Sequence, residues 1–388
     1  MLLNVNDKNN IRMKKVLVVL PTLPNYRKDF FNLLSSELAK KNIEVMIFHG
    51  STKKKKIKEI EDKKFKSRYF ETTELSFGSF TITSLKGLVR AVKEYSPDCL
   101  ITLFNPAIIS LDRVLLLCIK QHIPYAIWSC GWVRPTLAKT LSRIREKILF
   151  YFDKRATSHI AYHTQRKKYL ISKNIPSNTI FVAQNTINTE KIIQSYNFEE
   201  VSSCRFNNTT LKVLFVGALL KTKYLKESMN VVASLNSEGI SITFTIIGGG
   251  SILDELKAHR ETLKNKNQIF ILGPKYGDDL KNSFLQSDLF LLSGAGGLAI
   301  NEAMAYALPI ISTVGDGTGY DLIEQNGYLL KESGNELEIK QALMNFYQLS
   351  REKKIKMSEN SLSIIKSKAT NVLMVEHYMQ AIELLLKK

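Results

Sequence analysis

The run Ser293-Gly-Ala-Gly-Gly-Leu-Ala-Ile-Asn-Glu-Ala-Met-Ala305 brings glycines, an expected helix start and a carboxylate together within thirteen residues. It follows the apolar segment Asp288–Leu292, which reads as a strand. Glycines let a backbone approach a ligand closely. A helix beginning near Leu298 would aim its free N–H groups and positive dipole end at the loop, a geometry that holds a phosphate without a metal. Glu302 falls one turn into that helix, where its carboxylate can accept two ribose hydroxyls. The plainer alternative is a glycine-rich turn with Glu302 on the surface. A second cluster, Gly248-Gly249-Gly250, also follows a strand and precedes a helix. It makes a poor dinucleotide fingerprint: Leu253 stands where a third glycine belongs, and Phe270-Ile271-Leu272 offers no acid for a ribose. That argues against a dehydrogenase and for a tight strand-to-helix turn.

Such loops need a parallel sheet to carry them. Lys15–Leu20 is a continuous apolar run ended by Pro21, as in a strand buried on both faces. Phe30, Phe31, Leu34 and Leu38 then recur at helical spacing, and Ile43–Phe48 reads as a second strand. The alternation continues with strands at Cys99–Leu103, Tyr125–Trp128, His159–Tyr162 and Ile180–Ala183, and helices at Leu137–Phe150 and Gln165–Ser172. The polar stretch 194–210 interrupts it and is the expected linker. Beyond it come strands at Lys212–Val216, Ile242–Ile247, Ile269–Leu272, Leu289–Leu292 and Ile310–Ser312, with helices at Leu225–Leu235 and Leu253–Leu263 among them. Helices at Leu337–Leu349 and Val372–Leu386 end the chain. The expectation is an α/β protein of two doubly wound, Rossmann-like halves.

The chain has 388 residues, enough for two domains, with 44% hydrophobic and 23% charged residues, a globular composition. Its formal charge of +19 is unevenly placed: residues 1–200 hold 34 Lys/Arg against 17 Asp/Glu, and residues 201–388 hold 21 against 19. A basic N-terminal half suits an anionic membrane surface, a phosphorylated acceptor or a nucleic acid. A genome that encodes lysine freely is the plain alternative, but such a bias would affect both halves alike. No aromatic-basic module is visible, so a nucleic-acid partner is not expected. The Lys-rich segment Lys53–Arg68 reads as an exposed loop or helix face. Cys99, Cys118, Cys130 and Cys204 lack metal-ligand spacing and read as reduced thiols. No secretory leader or membrane span is expected. Met13-Lys14-Lys15 reads as a natural start, preceded by a disordered extension.

The segment Glu302-Ala-Met-Ala-Tyr-Ala-Leu-Pro-Ile-Ile311 resembles the second half of the paired-glutamate motif of glycosyltransferase family 4, the group 1 glycosyltransferases of GT-B fold. Phe215-Val-Gly-Ala-Leu-Leu-Lys-Thr-Lys223 resembles that family's F-x-G-R-L-x-x-x-K loop, and Leu280–Leu292 the stretch before the glutamates. In the N-terminal half, Pro24-Asn-Tyr-Arg27 with Phe30-Phe31, Ile127-Trp-Ser-Cys-Gly-Trp132, Ile160-Ala-Tyr162 and Ala183-Gln-Asn-Thr-Ile-Asn188 resemble, in order, landmarks of surface-polysaccharide members. The likeness runs over roughly residues 13–385 and is weakest in 50–95.

The resemblance implies roles. Lys223 would pair with the donor diphosphate, the backbone of Gly296, Gly297 and Leu298 would cradle it, and Glu302 would bind the nucleotide ribose. Arg27, Gly131, Asn185, Gly217 and Gly294 would line the donor or acceptor cleft. Three positions depart from the pattern: Gly294 stands for the first glutamate, Ala218 for an arginine and Cys130 for a histidine. The implied protein is a retaining glycosyltransferase without metal or other cofactor. It would move a sugar from a nucleotide diphosphate to a lipid-linked glycan acceptor, held by its basic half at the inner face of the cytoplasmic membrane. The implied organisation is an acceptor domain over 13–193, a linker over 194–210, a nucleotide-sugar domain over 211–368, and a terminal helix over 369–388 packing back on the first. Two alternatives stay open: a nucleotide-sugar binder without transfer activity, and a GT-B UDP-sugar 2-epimerase.

Overall fold

A computed structural model describes residues 12–51, 60–77, 80–105, 107–131, 139–315 and 317–387. Residues 1–11 of the expected disordered extension, residues 53–59 of the Lys-rich run and Trp132 therefore lie outside the described residues. Among the described residues, nine strands belong to the N-terminal half: β1 Lys14–Leu20, β2 Ile43–His49, β3 Lys66–Tyr69, β4 Thr72–Phe77, β5 Phe80–Leu85, β6 Cys99–Leu103, β7 Tyr125–Ser129, β8 Ser158–Ala161 and β9 Ile180–Val182. Seven form a parallel sheet in the order β3-β2-β1-β6-β7-β8-β9, and β4 and β5 form an antiparallel hairpin. The C-terminal half adds β10 Leu211–Val216, β11 Ile242–Ile247, β12 Ile269–Ile271, β13 Leu289–Leu292, β14 Ile310–Thr313 and β15 Gly327–Leu330. They pair in parallel in the order β12-β11-β10-β13-β14-β15.

Both sheets are doubly wound, as the apolar runs predict. Val16–Leu20 and Leu289–Leu292 have no exposed residue because helices cover both faces of each sheet. The order reverses between β1 and β6 in the first sheet and between β10 and β13 in the second. At such a reversal the loops leaving the strands' carboxyl ends diverge and open a crevice, the usual ligand position in open α/β sheets.

Three differences from expectation concern local packing. Lys66–Tyr69 is neither loop nor helix face but an edge strand, whose exposed Lys66 and Arg68 suit a sheet edge that must not pair further. The polar stretch 194–210 holds a helix, Phe198–Cys204, capped by Asn197. Arg205 then buries its guanidinium against the carbonyls of Phe284, Tyr306 and Ala307, which fastens this stretch to the C-terminal half. An 18-residue helix, Arg351–Lys368, was not expected at all.

The terminal helix Asn371–Leu386 crosses back to the first half. Met374, Val375, Tyr378, Ala381, Ile382 and Leu385 sit in one apolar cluster with Val16, Val18, Phe30, Phe31 and Trp128. The Tyr378 ring meets Phe30 edge-on at 4.9 Å and Trp128 at 5.3 Å. The helix completes one face of the β1 sheet, so the first half includes residues from both ends of the chain.

Candidate nucleotide-binding site

At the reversal between β10 and β13, the loop 217–224 and the loop 293–297 lie back to back. Ala295 N–H donates to Thr222 O at 3.0 Å. The Ser293 hydroxyl lies 3.1 Å from the carbonyls of Lys223 and Tyr224 and 2.7 Å from Ser228 Oγ. The Lys223 ammonium donates to the Ala295 carbonyl. The structure thus brings Lys223 to the rim of the glycine loop, as the resemblance implies. Gly217 stands at the entrance to the same loop, its carbonyl tight against Gly248: a Cβ on Gly248 would come within 1.9 Å of it.

Gly294 has a steric explanation. A Cβ built there falls 2.1 Å from Thr222 O and 2.8 Å from Lys223 Cα. Both obstacles are backbone, so no side chain fits without parting the two loops. A glutamate is therefore absent, and the site has no room for one. Ala218 is exposed on the same loop and supplies no charge. Of the cations implied for the diphosphate, this leaves Lys223, with the exposed Lys221 two residues away.

The helix Leu298–Ala305 begins directly after Gly296 and Gly297, with no side-chain cap at Gly297. Its first N–H groups have no intrahelical acceptors, so with the dipole they form an anion site facing the loop. Gly296 is itself hemmed in: an added Cβ would lie 2.3 Å from the Leu292 side chain. Glu302 is half-buried one turn along, and its carboxylate makes no hydrogen bond or ion pair with the described residues. Burial pushes its carboxyl up to about 7. Hydroxyl donors would offset that penalty and draw the pKa down again.

The remaining candidates divide. Asn185 meets the same helix, its carbonyl accepting from Asn301 Nδ2 at 3.2 Å. Gly131 lies two residues beyond β7 with φ +64°, under the Arg166 side chain, which comes within 2.3 Å of where a Cβ would sit. Arg27 is only 4% exposed: its guanidinium stacks over Trp128 at 4.2 Å and donates to Tyr162 Oη at 3.2 Å. Neither is brought to the glycine loop. Arg27 is a buried prop behind the wall of the first half, which corrects its reading as a residue open to the cleft.

Sequence reasoning missed the turn after β14. Thr313 Oγ1 donates to Gly294 O at 2.9 Å, and a Cβ on Gly315 would approach Gly296 O at 2.4 Å, so this turn supports the glycine loop from behind. The signal was present: Gly315, Gly317 and Gly319 follow an apolar strand just as Gly294, Gly296 and Gly297 do.

Two Rossmann-like halves joined by a returning terminal helix define the GT-B fold, and comparison with solved structures agrees. The Anabaena protein HepE in complex with UDP superposes with a TM-score of 0.70 at 15% identity, over 96% of this chain and 100% of that one. Sucrose-phosphate synthase from Thermosynechococcus elongatus gives 0.71 at 13% identity, over 96% and 100%. The lipopolysaccharide outer core galactosyltransferase WaaB gives 0.66 at 16%, over 95% and 99%. Residues 198–363 match the family model described as glycosyl transferases group 1. Two curated relatives are similar over shorter stretches. The putative colanic acid biosynthesis glycosyltransferase WcaL of Escherichia coli is 27% identical over 136 residues, 32% of this chain and 33% of the relative. The amylovoran biosynthesis glycosyltransferase AmsK of Erwinia amylovora is 30% identical over 133 residues, 31% and 32%. Each match spans about a third of the relative's length.

Two outcomes follow from the geometry. Gly294→Ala, and more so Gly294→Glu, should lower the melting temperature, because the two loops must separate; a wild-type melting temperature in Gly294→Glu would show that the loops part freely. Because burial raises the Glu302 carboxyl from 4.5 to about 7, its contribution should make the protein less stable as pH rises across that interval. Glu302→Gln should flatten this part of the stability profile, and an unchanged slope in that variant would assign the titration elsewhere.

Proposed function

We propose that this protein is a glycosyltransferase that moves a sugar from a nucleotide diphosphate to a glycan acceptor in surface-polysaccharide synthesis, with anomeric configuration retained. The observation that carries this reading is the placement of Lys223, the glycine loop and the start of the Leu298–Ala305 helix at one sheet reversal, with Glu302 a turn away. That arrangement suits a diphosphate joined to a ribose. The UDP and UDP-glucose complexes of HepE fit the same class of donor.

In this reading the departing diphosphate gains negative charge, which Lys223 and the helix N–H groups stabilise. The diphosphate oxygen takes the proton of the incoming hydroxyl on the same face of the sugar, so no side-chain nucleophile and no cofactor is required. Rate then comes from orientation and charge stabilisation. Lys223→Ala should slow transfer tenfold or more, on the order of 1.4 kcal/mol or above, with an unchanged melting temperature. Activity near wild type in this variant would remove Lys223 from the chemistry. The lack of room for a carboxylate at 294 favours a second reading, a nucleotide-sugar binder without transfer. Neither transfer nor donor hydrolysis, with binding intact, would establish it.

The acceptor in this proposal is lipid-linked, and the basic first half rests on the inner face of the cytoplasmic membrane. No helix among the described residues is long and apolar enough to cross a membrane. Support comes from the helix Lys139–Asp153, which exposes Ile144 and Tyr151 beside an open groove of about 400 Å³ lined also by Asp112, Lys147, Ile148 and Phe152. Leu116, one turn beyond Asp112 on its helix, is 48% exposed. Exposed Arg143, Lys147, Lys154 and Arg155 accompany these apolar groups. Each such cation near an anionic surface contributes about 1 kcal/mol. The protein should sediment with phosphatidylserine vesicles and not with phosphatidylcholine vesicles. Ile144→Glu with Tyr151→Glu should abolish this while leaving transfer to a soluble acceptor intact. Sedimentation of the double variant like wild type would place the contact elsewhere.

A further inference from the structure

The turn that supports the glycine loop also grips the other half of the molecule. Asp321, 5% exposed, belongs to the short helix Gly319–Leu322 that ends this turn. Its Oδ2 accepts from Thr164 N at 2.7 Å and from Gln184 Nε2 at 2.9 Å, and its Oδ1 accepts from Thr164 Oγ1. Thr164 is the first residue of the helix Thr164–Ser172 in the first half. A carboxylate from the second half therefore satisfies an orphan N–H at the positive end of a helix in the first, where a negative charge is favoured. Gly317 lies against His163, the capping residue of that helix: an added Cβ would fall 2.3 Å from Nε2. The turn itself is braced by Gly317 N–H and Gly319 N–H, both donating to Val314 O. Lys368 Nζ reaches the Asp321 carbonyl at 2.9 Å.

Residues 313–315 thus touch the glycine loop, through Thr313 and Gly315, and residues 317–321 touch the Thr164–Ser172 helix, through Gly317 and Asp321. We propose that Asp321 is a positioning residue for transfer: it clips the acceptor half to the turn behind the diphosphate cradle, so that occupation of the cradle and the angle between the halves are coupled. This rests on the proposed function. A segment that moves with the glycine loop cannot do so without pulling on the three hydrogen bonds at Asp321. In the variant Asp321→Asn, the negative charge at the start of the Thr164–Ser172 helix is lost, and the amide keeps its contacts only by turning its NH2 to the Thr164 hydroxyl, which must then accept instead of donate.

The test compares wild type, Asp321→Asn, Gln184→Leu and the double variant, each checked for an unchanged melting profile of both halves. Asp321→Asn should keep its affinity for UDP within threefold, because the glycine loop, Lys223 and Glu302 are untouched. Its kcat should fall at least tenfold. Small-angle scattering should show wild type contracting on UDP addition and the variant failing to contract. Gln184→Leu should act in the same direction, and the double variant should lose no more than Asp321→Asn alone. Wild-type kcat together with wild-type contraction in Asp321→Asn overturns the inference. A tenfold loss of UDP affinity would also overturn it, by showing that Asp321 serves the cradle and not the clip. If wild type transfers no sugar, the proposed function fails, while the scattering comparison still decides the coupling.

Discussion

The site depends on the contact between two stretches of backbone. Where β10 and β13 diverge, the loops 222–224 and 293–295 approach so closely that a single methyl at 294 meets a carbonyl oxygen at 2.1 Å. Everything that faces the crevice is set by this contact. It places the Lys223 ammonium on the Ala295 carbonyl, fixes where the Leu298–Ala305 helix begins, and closes position 294 to any side chain. The resemblance alone makes Gly294 look like a loss. The packing makes it the residue that permits the loop contact, since only glycine leaves the two backbones room to meet.

How far the structure was legible in the sequence follows from which faces are buried by apolar residues. Core strands such as Val16–Leu20 and Leu289–Leu292 are apolar throughout, and a parallel sheet covered on both sides demands that pattern. The helix Arg351–Lys368 was hidden because its buried face is largely hydroxylic. Ser358 and Ser361 are buried with Leu362 and Ile365, and Ser361 Oγ donates to the Leu308 carbonyl at 2.7 Å. Small polar residues let that helix approach closely, and they leave no apolar stripe to read. The β4–β5 hairpin was hidden for a related reason: of its described side chains Leu85 alone joins a core cluster, and Thr73, Glu74, Ser76, Thr81, Thr83 and Ser84 leave no apolar pattern to read. At the site, Glu302 and the glycines were legible because their chemistry is local in sequence. Asp321 was not, because its partners Thr164 and Gln184 lie 157 and 137 residues away.

The same distinction explains Arg27. An arginine after the first strand of a Rossmann-like half sits at the carboxyl edge of the sheet, where ligands bind, so position alone suggests contact with a substrate. The surrounding residues decide otherwise. Trp128 and Tyr162 from the neighbouring strand ends, with Tyr378 from the terminal helix, enclose the side chain. A guanidinium is weakly hydrated and stacks on aromatic faces, which is how such a charge can be buried without a carboxylate. The terminal helix therefore does more than tie the halves together, because it builds part of the wall on which the first half's strand ends rest.

The buried ionisable groups separate the framework from the site. Arg166 donates twice to Asp153, at 2.8 and 2.7 Å, and Arg205 is spread over three carbonyls. Asp288 accepts from the N–H groups of Phe206 and Lys212, and Asp321 from Thr164 and Gln184. Each is met by partners that hold elements in place, as buried charge requires. Two carboxyls are pushed up to about 7 by burial alone, Asp112 and Glu302. Asp112 sits in the first turn of its helix, where the dipole favours its charge, and it lines the groove of the apolar and basic face. Glu302 has no such compensation: it lies past the first turn, half-buried beside the glycine loop. A carboxylate desolvated with nothing to accept from is costly for stability and useful only if a ligand brings the donors. That asymmetry is what the proposed function calls for, a crevice above Glu302 whose missing donors are the hydroxyls of a bound nucleotide.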